Sequence, residues 1–558
     1  MSNSEMTRRE FNAAAAAGAV TLSAAGSAVA QVTERFDLVI RGGRVMDPET
    51  GFDQIANVGV KDGRIVAITT EPLEGGRQID ASGHVVAPGF IDTHFHWPRP
   101  MGNKLALLDG RTTVMDLEIG THGPLVDSWY AARAGANQIN SGCATAHEMA
   151  RTYVLDGITT EDAPEMLNHR GTDKTGWSHT RPDLEQGNEI LRLLDAGLAA
   201  GAAGIGSTLG YMRDGASARE VYEIQRVAGR YGRPCGFHFR YTPGTDTTES
   251  NGIQEMLANA AAVGAPAIAC HFNNPGYNLV HELLVGMRRQ GMNVWGELYP
   301  YAAGSTALNA VFLEPEVWVD QLGYEYETTL QDALTGEWYT AESRAEMIAS
   351  EPARLVLVYK MPESAIVDWL RMPDVAIASD GMPILDGSIT WDTPFEDLPN
   401  THPRGAGSCA LTLRLGRENG IPLMQSLAQL SWNSARPLGL TGLQAMQERG
   451  RMQEGMVADI TVFDPETVTD NATYAQGNLP SSGIPFVIVN GTVVVDGGEV
   501  LRDVNPGQPI RHEPRESLFE PLDVEAWMQA FYAVPQDFGG GIPTSQPAYD
   551  PRVIPCCQ

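Results

Sequence analysis

Hydrophobic and polar positions alternate with two different textures along this chain. Residues 35–85 read as short strands, Phe36-Asp37-Leu38-Val39-Ile40 and then Val58-Gly59-Val60-Lys61 and Arg64-Ile65 around an Asp62-Gly63 step that predicts a hairpin. The same texture returns at 458–464 and 486–495. Two such blocks at opposite ends predict one small β-sandwich domain, 31–87 plus 441–512, assembled from both termini. Between them, 88–440 alternates apolar strands with helical segments such as 188–199 and 217–230, the pattern of a parallel sheet. Candidate strands are 86–94, 112–117, 143–147, 234–239, 265–271, 293–299, 354–358 and 375–379. That is the number a closed barrel needs, so the fold class is α/β, a TIM-like (β/α)8 barrel. An insert at 302–350 lacks a repeated strand pattern and holds Trp318, Tyr324, Tyr326, Trp338 and Tyr339. It reads either as a lid over the active-site face or as a subdomain packing on its own aromatics. The tail, 513–558, carries Pro and Gly clusters and is expected to wrap the surface or stay flexible.

Polar residues fall at the strand ends: His94 and His96, Glu118, His147, His238, His271, Tyr299 and Asp380. His-x-His at a strand end points two imidazoles the same way, because strand side chains repeat every second residue. A parallel barrel delivers all its C-terminal strand ends to one rim, so these groups are expected to converge. Histidines and carboxylates in that number supply ligands for one or two divalent metals.

Charge and composition narrow the partners. The formal net charge of −30 repels nucleic acid and anionic membranes, and hydrophobic content of 43% suits a large core. At the N-terminus, Thr7-Arg8-Arg9-Glu10-Phe11 precedes an Ala-rich stretch, and Ser27-Ala28-Val29-Ala30 offers a small-residue cleavage site. This resembles a twin-arginine export signal over 1–30, and the apolar stretch is too short to span a bilayer. A periplasmic or secreted protein without a membrane span is therefore expected. Cys143, Cys235, Cys270 and Cys409 sit in or beside apolar runs and read as buried thiols, whereas Cys556-Cys557 has no explanation.

The run Pro88-Gly89-Phe90-Ile91-Asp92-Thr93-His94-Phe95-His96 resembles the entry motif of the amidohydrolase superfamily. More narrowly, the chain resembles the D-aminoacylase (N-acyl-D-amino-acid deacylase) family. The shared motifs are Gly204-Ile205-Gly206-Ser207-Thr208-Leu209-Gly210-Tyr211, Tyr299-Pro300-Tyr301, Ala378-Ser379-Asp380-Gly381, His402-Pro403-Arg404, Ala458–Pro465 and Gly483–Gly491. The resemblance spans about 35–505. It implies a zinc-type enzyme, with one or two ions and other divalent metals open, that cleaves a small-molecule amide by metal-bound hydroxide. Glu118, His238 and His271 would hold the tighter ion, and His94, His96 and Asp380 would flank a second. The family commonly has a cysteine in a Gly-Asn-Cys-Gly-like turn where this chain reads Asp116-Leu117-Glu118-Ile119-Gly120. A carboxylate can bridge two metals, which favours a binuclear centre, with Asp116 as the competing bridge. No lysine stands at the fourth strand's end, and Lys360 reads as an exposed helix-start residue. Asp380 would shuttle the proton, with Tyr299 polarising the carbonyl.

For substrate binding the resemblance points to Arg404, Arg240 and Ser305. Relatives often carry a lysine where this chain has Asn273, a weaker anion anchor. The leading expectation is an N-acyl (D-) amino-acid amidohydrolase. The alternatives are hydrolysis of a cyclic amide or lactone, as in hydantoinases and dihydroorotases, or a catalytically silent exported binding protein.

Overall fold

The apolar run expected as one strand over 86–94 is two strands belonging to two sheets. Val85–Pro88 pairs with Ile460–Phe463 and with Phe36–Asp47, whereas Phe90–Asp92 pairs with Arg111–Thr121. The break falls at Gly89, whose amide donates to the Asp459 carbonyl at 2.8 Å. A Cβ there would lie 2.2 Å from Thr112 Oγ1, so only glycine lets the chain pass. These features come from a computed structural model that describes residues 35–96, 99–159, 176–212, 215–240, 251–382 and 388–523. The export motif and Cys556-Cys557 lie outside the described residues.

Both ends of the chain build one nine-stranded sheet, in which Val85–Pro88 joins the N-terminal strands to the C-terminal ones. The Asp62-Gly63 hairpin forms between Phe52–Lys61 and Arg64–Thr69, with φ of +49° and +75° at the turn. Side chains on one face, among them Ile40, Val58, Ile460 and Ile488, form a buried core.

The second sheet is the barrel. In order its strands are Phe90–Asp92, Arg111–Thr121, Asn140–Ala146, Ile205–Ser207, Cys235–Phe237, Ala267–Ala269, Val294–Leu298 and Ala376–Ile377, every neighbouring pair parallel. A bridge between Phe95 and Gly381 links the last strand's end to the first. The expected count of eight was reached with one wrong member. Ile205–Ser207, only three residues long, is the fourth strand, and Leu355–Tyr359 lies outside the barrel. Leu355–Tyr359 instead pairs antiparallel with Ala303–Ala307 and Leu330–Asp332 in a three-stranded sheet. An apolar run records burial, not the identity of the partner strand. His238 thus follows the fifth strand, His271 the sixth and Tyr299 the seventh.

The insert extends to 359, packs on its own aromatics and lends residues to the cleft wall. Trp318 is buried, lies 4.6 Å from the Tyr324 ring and donates through Nε1 to Thr329 Oγ1, while Ala303–Ala307 faces the site. Pro509–Ile510, expected in the end domain, adds to the barrel beside Asn140–Ala146, because Ile510 buries fully among barrel residues. Residues 513–523 then run along the helices Leu184–Ala199 and Ala218–Arg230. The Leu518 amide donates to Tyr231 and the Leu522 amide to Asn188. Cys143, Cys235, Cys270 and Cys409 are free and buried. Among the described residues no helix is long and apolar enough to cross a membrane.

Candidate metal centre

His94 and His96 follow the first barrel strand, and their Nε2 atoms face each other at 3.2 Å. Glu118 comes from the long second strand, which lies against Gly206 so tightly that a Cβ there would be 2.4 Å from the Glu118 carbonyl. Its Oε2 is 3.2 Å from His94 Nε2, and its Oε1 is 2.6 Å from His271 Nε2 and 3.1 Å from His238 Nδ1. Asp380 closes the first group, with Oδ1 3.1 Å from His96 Nε2 and 3.4 Å from His94 Nε2. The donors form two clusters, His94/His96/Glu118/Asp380 and Glu118/His238/His271, with Glu118 common to both. Asp380 (φ +51°) and His271 (φ +27°) both adopt left-handed backbone, a strain that held structure tolerates at working sites.

The donor set fits a divalent cation. Two imidazole nitrogens 3.2 Å apart share at most one proton, yet two carboxylates converge on the same point. Ligands about 2 Å from a tetrahedral ion stand roughly 3–3.5 Å from one another, the spacing found here. Carboxylates also stand behind the imidazoles. Glu297 Oε1 is 2.6 Å from His94 Nδ1 and Oε2 accepts from Thr93 Oγ1, while Asp116 Oδ2 is 3.2 Å from His96 Nδ1. Such partners fix the ring and its tautomer. Asp116 therefore sits behind a ligand, and Glu118 occupies the shared position.

Electrostatics follow this crowding. Burial raises the Glu118 carboxyl, but His94, His271 and His238 outweigh it and hold it well below its ordinary range. Asp380 is likewise lowered against burial, chiefly by Arg404 and His94. For His96, burial is overcome by Asp116 and Asp380, which raise it to about 9. His238 is pushed down to about 4 by burial and by the neighbouring His271.

The cleft above these groups opens to solvent and is lined by Tyr299, Ser305, Arg404, Phe312 and Lys360 among others. Arg404 is buried, reaches Asp380 Oδ2 at 2.9 Å and lies over the Tyr299 ring. His402 fixes it from behind: its Nδ1 accepts the Arg404 amide, and its Nε2 donates to the Ala303 carbonyl. Burial raises the Tyr299 hydroxyl, which keeps its proton. Three expected site residues lie elsewhere. Arg240 is taken up by Glu255 and the Ala216 carbonyl, because the chain turns after Phe237. Asn273 clamps the Tyr299 backbone, donating to its carbonyl at 2.8 Å and accepting from its amide. His147 is fully buried between Ser207 and Glu220, away from the cluster. Lys360, expected to be exposed, is half-buried in the cleft wall, and burial lowers its ammonium to about 8. Sequence reasoning missed Glu297, although it precedes Tyr299 by two residues and so shares its strand face.

Fold and site together define a metal-dependent hydrolase of amidohydrolase architecture. No family model matches the chain. It is 28% identical over 514 residues to the N-acyl-D-glutamate deacylase of Alcaligenes xylosoxydans xylosoxydans, covering 87% of this chain and 97% of that one. The D-aminoacylase of the same organism is 27% identical, with 83% and 95% covered. The crystal structure of N-acyl-D-glutamate deacylase from Bordetella bronchiseptica, complexed with zinc and a phosphonate inhibitor, superposes with a TM-score of 0.69 at 26% identity, covering 86% of this chain and 100% of that one. The dihydroorotase of Geobacter sp. strain M21 is also a relative, 23% identical with 83% and 100% covered. The N-acyl-D-glutamate deacylase and D-aminoacylase relatives bear out the resemblance read from the sequence.

Proposed function

We propose that this protein hydrolyses the amide bond of N-acyl-D-amino acids at a centre of one or two divalent metals. Glu118 carries the reading: one carboxylate common to two donor clusters, beside a carboxylate held ionised by arginine. The residues that would hold the ions are Glu118, His238 and His271, and His94, His96, Glu118 and Asp380. A bound divalent ion supplies two things, acidification of its water towards neutrality and polarisation of the scissile carbonyl. Asp380 Oδ1, whose partner oxygen is held by Arg404, accepts the proton of the attacking water and returns it to the leaving nitrogen. The Tyr299 hydroxyl, still protonated at neutral pH, donates to the carbonyl oxygen as charge develops there. Glu297 and Asp116 hold the His94 and His96 rings in orientation.

The dihydroorotase relative, together with the loss of Asn273 as an anion anchor, supports hydrolysis of a cyclic amide as the second reading. Purified protein with quantified metal should release carboxylate from N-acetyl-D-amino acids faster than from the L-forms, hydantoins or lactones. The reverse order would assign the second reading. The motif at 7–11 and the small residues at 27–30 support export to the periplasm. Replacing Arg8 and Arg9 with lysine should then retain the protein in the cytoplasm.

A further inference from the structure

We infer that Lys360 anchors the carboxylate of the substrate and makes the cleft select anionic over neutral amides. This rests on the amide-hydrolase reading and names the substrate class of that site. Lys360 follows directly on the strand Leu355–Tyr359 and lines the cleft together with Val358. Opposite Val358 in the antiparallel register stands Gly304, which adds no side chain of its own to that wall.

The charges in the cleft isolate this ammonium. Asp380 attracts it and Arg404 repels it. Both oxygens of Asp380 are engaged, Oδ2 by Arg404 and Oδ1 by the imidazoles. Arg404 is itself bound to Asp380 and to the Ser305 carbonyl, and Arg240 to Glu255. Among the described residues, Lys360 makes no hydrogen bond or ion pair, and it is the cleft-lining cation without one. Two residues that line the same cleft carry buried polar atoms without partners, Arg404 Nε and Ser305 Oγ. A half-buried ammonium that shares its cleft with unpaired donors matches a carboxylate, which accepts from several donors at once.

The test compares wild type with Lys360→Met and Lys360→Arg on N-acetyl-D-leucine and its neutral carboxamide, following acetate release. The Met variant should raise KM for the acid at least about tenfold with kcat within about threefold. Its preference for acid over carboxamide should fall by a similar factor, and the Arg variant should recover most of it. Equal losses on both substrates, a loss confined to kcat, or no loss would overturn the assignment. A Met variant that fails to fold leaves the decision to Lys360→Gln, read in the same way. If wild type cleaves neither compound, the proposed activity falls. Lys360 is then judged by calorimetry alone, in which N-acetyl-D-leucine must bind wild type at least about tenfold more tightly than the variant.

Discussion

At the residue scale the centre depends on pairs in which one side chain fixes another. Asp380 touches two imidazoles through one oxygen and Arg404 through the other. Asp380→Asn keeps the shape and removes the base, so turnover should fall about 10²–10⁴-fold while the circular dichroism spectrum stays unchanged. Glu297 acts one step back, holding His94 Nδ1 at 2.6 Å. Glu297→Gln should weaken metal retention about 10–100-fold, measured as ion content after dialysis, with activity recovering in excess metal. A variant that retained its metal fully would deny Glu297 that positioning part.

At the element scale the sequence marks places more reliably than partners. His94, His96, Glu118, His238, His271 and Asp380 converge because strand ends in a parallel barrel share a rim, and that much is legible from spacing. The short fourth strand was illegible. Ile205–Ser207 offers three residues of signal, whereas Leu355–Tyr359 is a longer apolar run that serves the insert. Arg240 and Asn273 were misplaced for a related reason. Their side chains sit just beyond strands, where a turn rather than alternation decides direction, and Glu255 and the Tyr299 backbone lie ready to receive them. Gly89 sits inside the entry motif's apolar run, yet it divides that run between two sheets. Gly89→Ala must push Thr112 aside and should cost about 1–3 kcal/mol, read as a lowered midpoint in urea.

At the scale of the whole molecule, buried neutral histidines set an acid limit. Burial lowers His122 from 6.5 to about 4 and His512 to about 3, the latter also facing Arg233. The unfolded chain takes up these protons near pH 6.5 and the folded one does not, so their contribution is whole above that pH. It declines as pH falls below 6.5 and levels off once the folded values are passed. The melting temperature should drop by several degrees between pH 7 and pH 4, and His122→Gln with His512→Gln should flatten the slope. His512 lies just past Ile510, where the C-terminal segment clips onto the barrel, so acid should loosen that clip first.

The pairing of Val85–Pro88 with Ile460–Phe463 bears on biosynthesis. A ribosome has emitted all eight parallel strands of the barrel before the strand that completes the first sheet exists. Until then, Val85–Pro88 presents an unfinished edge to the surroundings. Nascent chains halted before residue 460 should bind holdase chaperones and succumb to brief protease treatment, whereas chains released after residue 500 should resist it.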